Sequence, residues 1–572
     1  MLNDASDRPR PAGYPDGVAL DIEIPDEPLT AALDRAARNF PDRVAVDFLR
    51  KTTTYRELAD RVARAAQVLV DLGVQRGDRV AMVLPNCTSH VVAFYAALRI
   101  GAVVVEHNPT YTPDALRHQL EDSGAVVALV WQKVVPAALD GRPSALRTVV
   151  SVDLSADLRT KDRLLLLLPV AKARRTREAM CGSVPAGVPD WHHLIAHARP
   201  LAADHPGPSS TDLALLQYTG GTTGTPKGAM LTHRNVVANA LQGRTWTGVK
   251  DGEEVVYGVL PFFHSFGLTL CLAYTLSIAA TLVAFPSFDP GMVLDAQRRR
   301  PGTFIPAVPP MLDRLVTAAT ERGVDMTSFH YAISGAMALP LETARRWEEL
   351  THGVVSEGYG MTETSPVALG NPLSEKRRPG ALGVPFPSTH IRVVDQEDYT
   401  REVAHGEQGE LLIQGPQVFA GYWNRPEETA EQLLPGGWVR TGDVVREVDD
   451  GFVVLVDRIK EMIVTNGFKV YPSQVEDHLR GMPGILDVAV VGEPAGERGE
   501  SVVAALVLEE GHPVVDLEAV RRWCEQRLPR YQLPRRIVVL PDLPRSQVGK
   551  VLRRVVRDLV VPGPKPPSMP AS

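Results

Sequence analysis

The sequence predicts an α/β protein, with a large multi-layered N-terminal domain followed by a small α+β C-terminal domain. Three observations predict it. At 572 residues the chain exceeds what a single hydrophobic core supports, so at least two domains are expected. Its first half alternates helical and strand-like apolar periodicity, the pattern of stacked α/β layers joined by crossovers. Past Gly451 that alternation gives way to three apolar strand runs around one helical segment. A composition of 44% hydrophobic and 23% charged residues is that of a soluble globular protein, neither disordered nor fibrous. The net charge of −7 argues against a protein that binds nucleic acid through bulk positive charge.

The elements follow in order. TTYRELADRVARAAQVLVDLGV (Thr53 to Val74) opens on a hydroxyl cap and repeats apolar residues at helical spacing. DRVAMVLP then reads as a strand, and HVVAFYAALRIGAVVVEHNP as a helix and a second strand. From Ser265 to Phe285 the chain carries no charge and is long enough to cross a bilayer. Its hydroxyls and its ending in ATLVAF favour a core helix leading into a buried strand. DVAVVGE, SVVAALVLEE and RIVVLPDLP, with the helical DLEAVRRWCEQRL, make the small domain. The expected boundaries are 1–456, 457–561 and a disordered tail at 562–572, PGPKPPSMPAS.

Cysteine usage points away from disulfides and zinc. Cys87, Cys181, Cys271 and Cys524 form no CxxC and have no histidine at ligand spacing. The N-terminal MLNDASDRPRPAGYPDG lacks a basic start followed by an apolar core, so no secretory signal is expected and a cytoplasmic setting fits. One segment interrupts the α/β pattern: LRTKDRLLLLLPVAKARRTREAM, where Leu164 to Leu168 are flanked by basic residues on both sides. Two readings stay open, an amphipathic element touching anionic lipid on the inner face of the cell membrane, or an inserted helix with packed leucines and a solvated basic face.

The strongest chemical signal is YTGGTTGTPKGAM, Tyr218 to Met230. Glycines free the backbone to wrap an anion with its N–H groups, hydroxyls add donors, and Lys227 adds charge. It is not the common phosphate loop, which needs Gly-Lys-Ser/Thr leading directly into a helix. Here Lys227 precedes Gly228, AMLT reads as a second strand, and the helix HRNVVANALQG follows later behind a cap at Thr232.

With this loop stand FFHSFG (Phe262 to Gly267), SGAMAL (Ser334 to Leu339), EGYGMTE (Glu357 to Glu363), GELLIQGPQVFAGYWNRPEET, RTGDV (Arg440 to Val444), DRIKEMIVTNGFKVYP (Asp457 to Pro472) and PRSQVGKVLRR (Pro544 to Arg554). In this order they resemble the acyl-adenylate-forming enzymes, a superfamily of acyl-CoA synthetases, luciferases and adenylation domains of peptide synthetases. The resemblance runs from about Thr30 to Leu559 and implies a large adenylate-forming domain with a small mobile C-terminal one.

The resemblance also implies roles. Attack of a carboxylate on the α-phosphorus of ATP requires two anions to be screened and phosphoryl charge to be stabilised. Thr219, Gly220, Gly221, Thr222, Thr223, Gly224 and Lys227 would cradle the phosphates, with Mg²⁺ held by Thr219 and Glu363. Gly335, Glu357, Gly358, Tyr359 and Thr362 would wall the adenine side. Asp443 would accept from the ribose hydroxyls, with Arg458 assisting. His264 would stand as a gate beside the acid. Lys550 would bridge carboxylate and phosphate during adenylation, and the small domain would then rotate about a hinge at Lys460 to present a thiol channel past Gly467 and Lys469. The basic stretch from Arg521 to Arg557 offers either a field for CoA phosphates or an ordinary solvated surface.

Within the superfamily, YTGG, EHNPTYTPDALRHQLEDSGA, the basic insertion near Leu164 and NGFKVYPSQVED look most like bacterial long-chain fatty acyl-CoA synthetases. That implies ATP, Mg²⁺ and CoA as cofactor and co-substrates and a fatty acid as substrate, with TFIPAVPPML and VLPFFHSFGLTL as candidate tunnel walls. Aryl- or medium-chain-acid CoA ligases and fatty acyl-AMP ligases share the motifs; no insertion before the small domain blocks rotation, which favours CoA. A non-catalytic acyl or nucleotide binder is disfavoured by intact Lys550, Glu363 and Asp443. Monomer and homodimer remain equally open.

Overall fold

The computed structural model describes residues 10–219, 226–465, 468–496, 499–512, 515–546 and 549–561. They fall into two compact units. The larger holds the described chain up to Ile391 together with Ile413–Val439; the smaller holds Arg392–Leu412 and the chain from Arg440 onward. The expected boundary at 456/457 lies inside the smaller unit's sequence, because the chain changes unit within the strands His390–Val394, Gln408–Gln414 and Trp438–Glu447. The expected tail lies outside the described residues.

Two sheets build the larger unit. A six-stranded sheet runs Thr148–Val152, Val127–Trp131, Arg79–Val83, Val103–Glu106, Leu213–Thr219, Lys227–Thr232; it is parallel up to its last strand, which folds back antiparallel. A nine-stranded sheet has the parallel run Val354–Gly360, Tyr331–Ser334, Phe304–Ala307, Val255–Gly258, Thr281–Ala284, Val44–Phe48 at its centre. Strands with both faces covered read as continuous apolar runs, which is why VVVE and TLVA are wholly buried.

Helix ends obey local chemistry. Thr54 accepts from Glu57 N at 3.2 Å while the Glu57 carboxylate accepts from Thr54 N at 2.7 Å, a reciprocal cap that starts the helix Tyr55–Asp71. Thr232 and Asn235 repeat the device at His233–Thr247, which Gly248 closes at φ +65°. The helix after the glycine-rich loop is thus where its sequence placed it.

The uncharged segment from Ser265 behaves as core. It forms a continuous helical run, Ser265–Gly267, Leu268–Ala273 and Tyr274–Ser277, then the strand Thr281–Ala284, nearly all buried. No helix among the described residues is long and apolar enough to cross a membrane. The leucine run is different. It splits into the helices Thr160–Leu165 and Ala171–Met180, and only Leu166 of the run is buried. The reading with packed leucines is therefore corrected: the rest of the run has no core to enter.

The smaller unit carries the expected α+β domain. Ile485–Pro494, Glu500–Leu508 and Arg536–Val539 form a three-stranded sheet, antiparallel then parallel. The helices Pro472–Arg480 and Leu517–Glu525 bury Val475, Leu479, Val520 and Cys524 against Val488 and Val490 on one face. Arg553–Val560 buries Val556 and Val560 on the other, against Val491 and Val503. All four cysteines are free, and three are buried.

Candidate active site

The loop's flanks are described, and its tip is not. Gly220, Gly221, Thr222, Thr223 and Gly224 lie outside the described residues, as does Gly467. The strands on either side pair antiparallel up to Thr219 opposite Lys227, so the chain enters and leaves the loop at neighbouring points. A third extended segment lies along Lys227–Thr232: Met230 N donates to Gly421 O, Ala420 N to Met230 O and Trp423 N to Gly228 O, all at 2.8–2.9 Å. That ladder sets Tyr422 opposite Ala229.

Tyr422 is the hub that sequence reasoning missed. Its hydroxyl donates to Glu363 Oε1 at 2.5 Å, and the Lys227 ammonium sits over its ring, 5.1 Å from the centroid. Burial, reinforced by the neighbouring Glu363 carboxylate, raises the phenol above its ordinary range, so it stays a donor. Phe419 N donates to Glu363 O at 2.9 Å, fixing the backbone that carries this 6%-exposed carboxylate. The only prior signal was GYWNRPEET, a stretch to which the sequence reading assigned no role. Lower in the hairpin, Tyr218 OH donates to Asp122 Oδ2 and Arg425 to Asp122 Oδ1, both at 2.7 Å, bracing the chain before the loop to the chain after Tyr422.

These residues fit magnesium. No three His, Cys, Asp or Glu gather as a metal cluster among the described residues. Mg²⁺ beside a triphosphate takes its oxygens largely from phosphates and water, and needs one or two protein groups such as a buried carboxylate and a threonine hydroxyl.

The residues expected on the adenine side lie at the carboxyl ends of two adjacent parallel strands. Ser334 stands in register with Glu357, so the turn after Ser334 and the run Glu357–Tyr359 lie side by side. Ligands of open α/β sheets bind at such ends. A Cβ on Gly335 would lie 3.1 Å from both Gly358 O and the Phe266 ring, and Ala336 adopts φ +66°, so this turn is tightly fitted and strained. Glu357 accepts from Gly380 N at 2.9 Å, and burial raises its pKa. Thr362 Oγ1 lies 3.4 Å from Ser265 Oγ, which ties EGYGMTE to FFHSFG. His264 Nδ1 accepts from Phe266 N at 3.2 Å and caps the turn that follows. Enclosure lowers its pKa, so it is neutral with its proton on Nε2.

A small apolar cavity adjoins this wall. Gly243, Trp246 and Thr247 line one side, Tyr274, Phe304 and Phe386 close it, and Ser356, Glu357 and Gly358 form the wall it shares with the strand Val354–Gly360. Of the two segments expected to line a tunnel, only Phe304 and Leu270 do so. Glu357 and Gly358 belong to EGYGMTE, and the remaining lining residues come from parts of the chain with no motif.

In the smaller unit Asp443 and Arg458 face each other across the antiparallel pair Trp438–Glu447 and Val453–Arg458, with Arg458 Nε 3.0 Å from Asp443 Oδ1. Asp443 is 5% exposed and thus a buried acceptor neutralised by a half-exposed guanidinium. Asp457, unassigned from sequence, accepts from Arg458 N at 2.7 Å and Ser473 N at 2.8 Å; burial still lifts its pKa to about 6. Lys550 is held by a tight turn in which Ser546 N donates to Lys550 O at 2.8 Å. Burial first, then Arg458, lowers its pKa to about 8, while Glu461 and Asp443 oppose the fall. Lys460 is exposed, and Lys469 Nζ donates to Gln396 at 3.1 Å. The basic stretch from Arg521 is partly neutralised within the unit: Arg522 pairs with Glu518, Arg536 with Glu493, Arg545 with Asp487, Arg553 with Glu461 and Glu476, and Arg557 with Glu500.

Known proteins resemble this chain over most of its length. Residues 33–423 match the AMP-binding enzyme family and 474–550 the AMP-binding enzyme C-terminal domain. The long-chain-fatty-acid–CoA ligase of Bacillus subtilis is 35% identical, over 96% of this chain and 97% of its own. A feruloyl-CoA synthase of an Amycolatopsis species is 33% identical, over 91% and 97%. ATP-bound MatB from Rhodopseudomonas palustris superposes with a TM-score of 0.78 at 30% identity, covering 94% of this chain and 99% of that one. By the length and continuity of these matches, the chain belongs to the AMP-binding enzyme family.

Proposed function

We propose that this protein is an AMP-forming fatty acid–CoA ligase. It joins a fatty acid to ATP with release of pyrophosphate, then transfers the acyl group from acyl-AMP to the CoA thiol with release of AMP. The observation that carries the fatty-acid reading is the apolar cavity sharing the strand Val354–Gly360 with the adenine wall, because a chain lying there brings its carboxylate toward the nucleotide.

The roles follow from chemistry. Thr219 and Glu363 would hold magnesium, which screens the phosphates when bound. Tyr422 orients the Glu363 carboxylate and supports the Lys227 ammonium, so that both are placed before ATP arrives. Asp443 accepts from the ribose hydroxyls, with the Arg458 guanidinium paired beside it. Lys550, with its proton held more loosely than in water, neutralises charge where carboxylate meets phosphate. Neutral His264 is a gate that adds no charge beside the acid. The segment 457–561 acts as the mobile part, with Lys460 at the hinge and Lys469 near the presented thiol face.

A second reading has its own observation. Trp246, Tyr274, Phe304 and Phe386 ring the cavity, a lining that also suits an aryl acid of the kind named for the Amycolatopsis relative. One experiment separates the two: pyrophosphate and AMP release from MgATP with acids from octanoate to stearate and with ferulate and benzoate, each with and without CoA. Turnover that requires CoA and peaks on a fatty acid supports the first reading; a ferulate optimum replaces it with the second; pyrophosphate without thioester points to an acyl-AMP ligase.

A further inference from the structure

Four leucines and a valine stand in water where a folded chain has every reason to hide them. Leu164, Leu165, Leu167, Leu168 and Val170 are 60%, 55%, 64%, 48% and 51% exposed, within a stretch of seven residues. Among the described residues, the other exposed large apolar side chains are more dispersed, the densest group being Leu552, Val555 and Leu559 spread over eight positions. The segment is nonetheless anchored. Leu166, Ala173 and Met180 are buried, Trp131 Nε1 donates to Met180 O at 2.7 Å, and the turn between the two short helices is closed by Leu167 N to Leu164 O and Leu168 N to Leu165 O. A fixed base therefore presents an apolar tip.

Charge names the occupant. Lys161, Lys172, Arg174, Arg175 and Arg177 are exposed and form no ion pair among the described residues, whereas Arg159 and Arg163 are turned to Asp162 and Asp153. Glu178 and Asp162 are the only acids between Arg159 and Met180. In a chain of net charge −7, which an anionic surface would repel as a whole, this positive collar around apolar side chains is a local exception. Leucines entering the acyl region with lysines and arginines at headgroup depth is the arrangement of a peripheral bilayer contact.

We propose that residues 160–177 dock this protein on the surface of an anionic lipid bilayer. The docking rests on the fatty-acid reading for its use, since such acids partition into bilayers, but not for its occurrence. The test is co-sedimentation of the full chain with vesicles of phosphatidylcholine alone or with one-third phosphatidylglycerol, at low and high salt. The purified protein is expected to pellet with the anionic vesicles at low salt and to remain in solution with the neutral ones. Replacing Leu164, Leu165, Leu167 and Leu168 together by Ser should weaken binding about tenfold or more, as should Lys172→Glu with Arg174→Glu and Arg175→Glu. Neither set should change octanoate-dependent pyrophosphate release without vesicles, nor the melting temperature. Wild-type protein that stays in solution, or leucine variants that pellet like wild type, would overturn the proposal. So would a homodimer that dissociates in the leucine variant without any vesicle binding, since the patch would then join two copies. Loss of turnover in all proteins bears on the ligase reading alone, because vesicle binding is read without substrate.

Discussion

The hairpin proposed to hold phosphate and the cavity proposed to hold the acyl chain belong to one unit, yet they are built by opposite rules. The hairpin draws on short consecutive stretches, Tyr218–Thr219, Lys227–Met230, Thr362–Glu363 and Phe419–Arg425, and works through backbone ladders and a few polar contacts of fixed length. The cavity draws single side chains from the helix His233–Thr247, from Tyr274, Phe304 and Ile333 and from Phe386, and works by shape. Holding a triphosphate needs donors at set places, so residue types are constrained locally. Holding a hydrocarbon needs only a bounded volume, which many combinations of side chains provide.

That contrast can be broken at several points. The largest effect is expected at Lys550→Ala, which should lower pyrophosphate release roughly 10²–10³-fold while sparing thioester formation from supplied acyl-AMP and CoA. Equal loss in both half-reactions removes Lys550 from adenylation. The same lysine predicts a pH limb. Its pKa of about 8 means the free enzyme loses this cation as pH rises through about 8, so kcat/KM for ATP should fall there, and Lys550→Arg should flatten the limb even if its rate is lower. A profile unchanged in the variant assigns the limb to another group.

Next comes Tyr422→Phe against Glu363→Gln. If the hydroxyl positions the carboxylate, Glu363→Gln should raise the Mg²⁺ concentration needed for half-maximal rate about tenfold or more, and Tyr422→Phe several-fold in the same direction. On the cavity side Gly243→Leu should reduce kcat/KM for stearate about tenfold relative to octanoate, with KM for ATP unchanged. A uniform loss on all acids would mean that this volume does not hold the chain.

The smallest expected effect concerns Asp457. Its folded pKa of about 6 lies above the ordinary 3.8, so the folded state holds a proton that the unfolded state releases between those values. Its contribution is fully present below about pH 4 and lost as pH rises through about 6. The melting temperature of wild type relative to Asp457→Asn should therefore drop by a few degrees from pH 4.5 to 7.5, and a constant difference would contradict it.

Legibility in the sequence follows the same division. Thr232, Lys227 and the strand–loop–strand reading were visible because capping and hairpin chemistry act within a few residues. The two-layer α/β plan was visible because both periodicities are local. Tyr422 was hidden because its role depends on a ladder to Met230, nearly two hundred positions away in sequence, and nothing in GYW signals a carboxylate above it. Trp246 and Phe386 were hidden for the same reason: their stacking at 4.5 Å is a tertiary event. The leucine run was visible as a sequence, but burial could not be assigned, since periodicity alone does not say whether a surface exists to receive an apolar face. Of the basic residues after Arg521, the sequence counted charge but not its partners, most of which sit on other strands.

The strand Val354–Gly360 bounds the cavity with Ser356, Glu357 and Gly358, and two of these, Glu357 and Gly358, also carry proposed adenine contacts. A lineage altering its acid cannot vary this strand cheaply, because each change is also an experiment on the nucleotide. The opposite wall, the turn of helix carrying Gly243, Trp246 and Thr247, bears no such double duty. Divergence in acid preference should therefore accumulate on that helix, and an engineer seeking a new substrate would randomise it first and leave the strand alone.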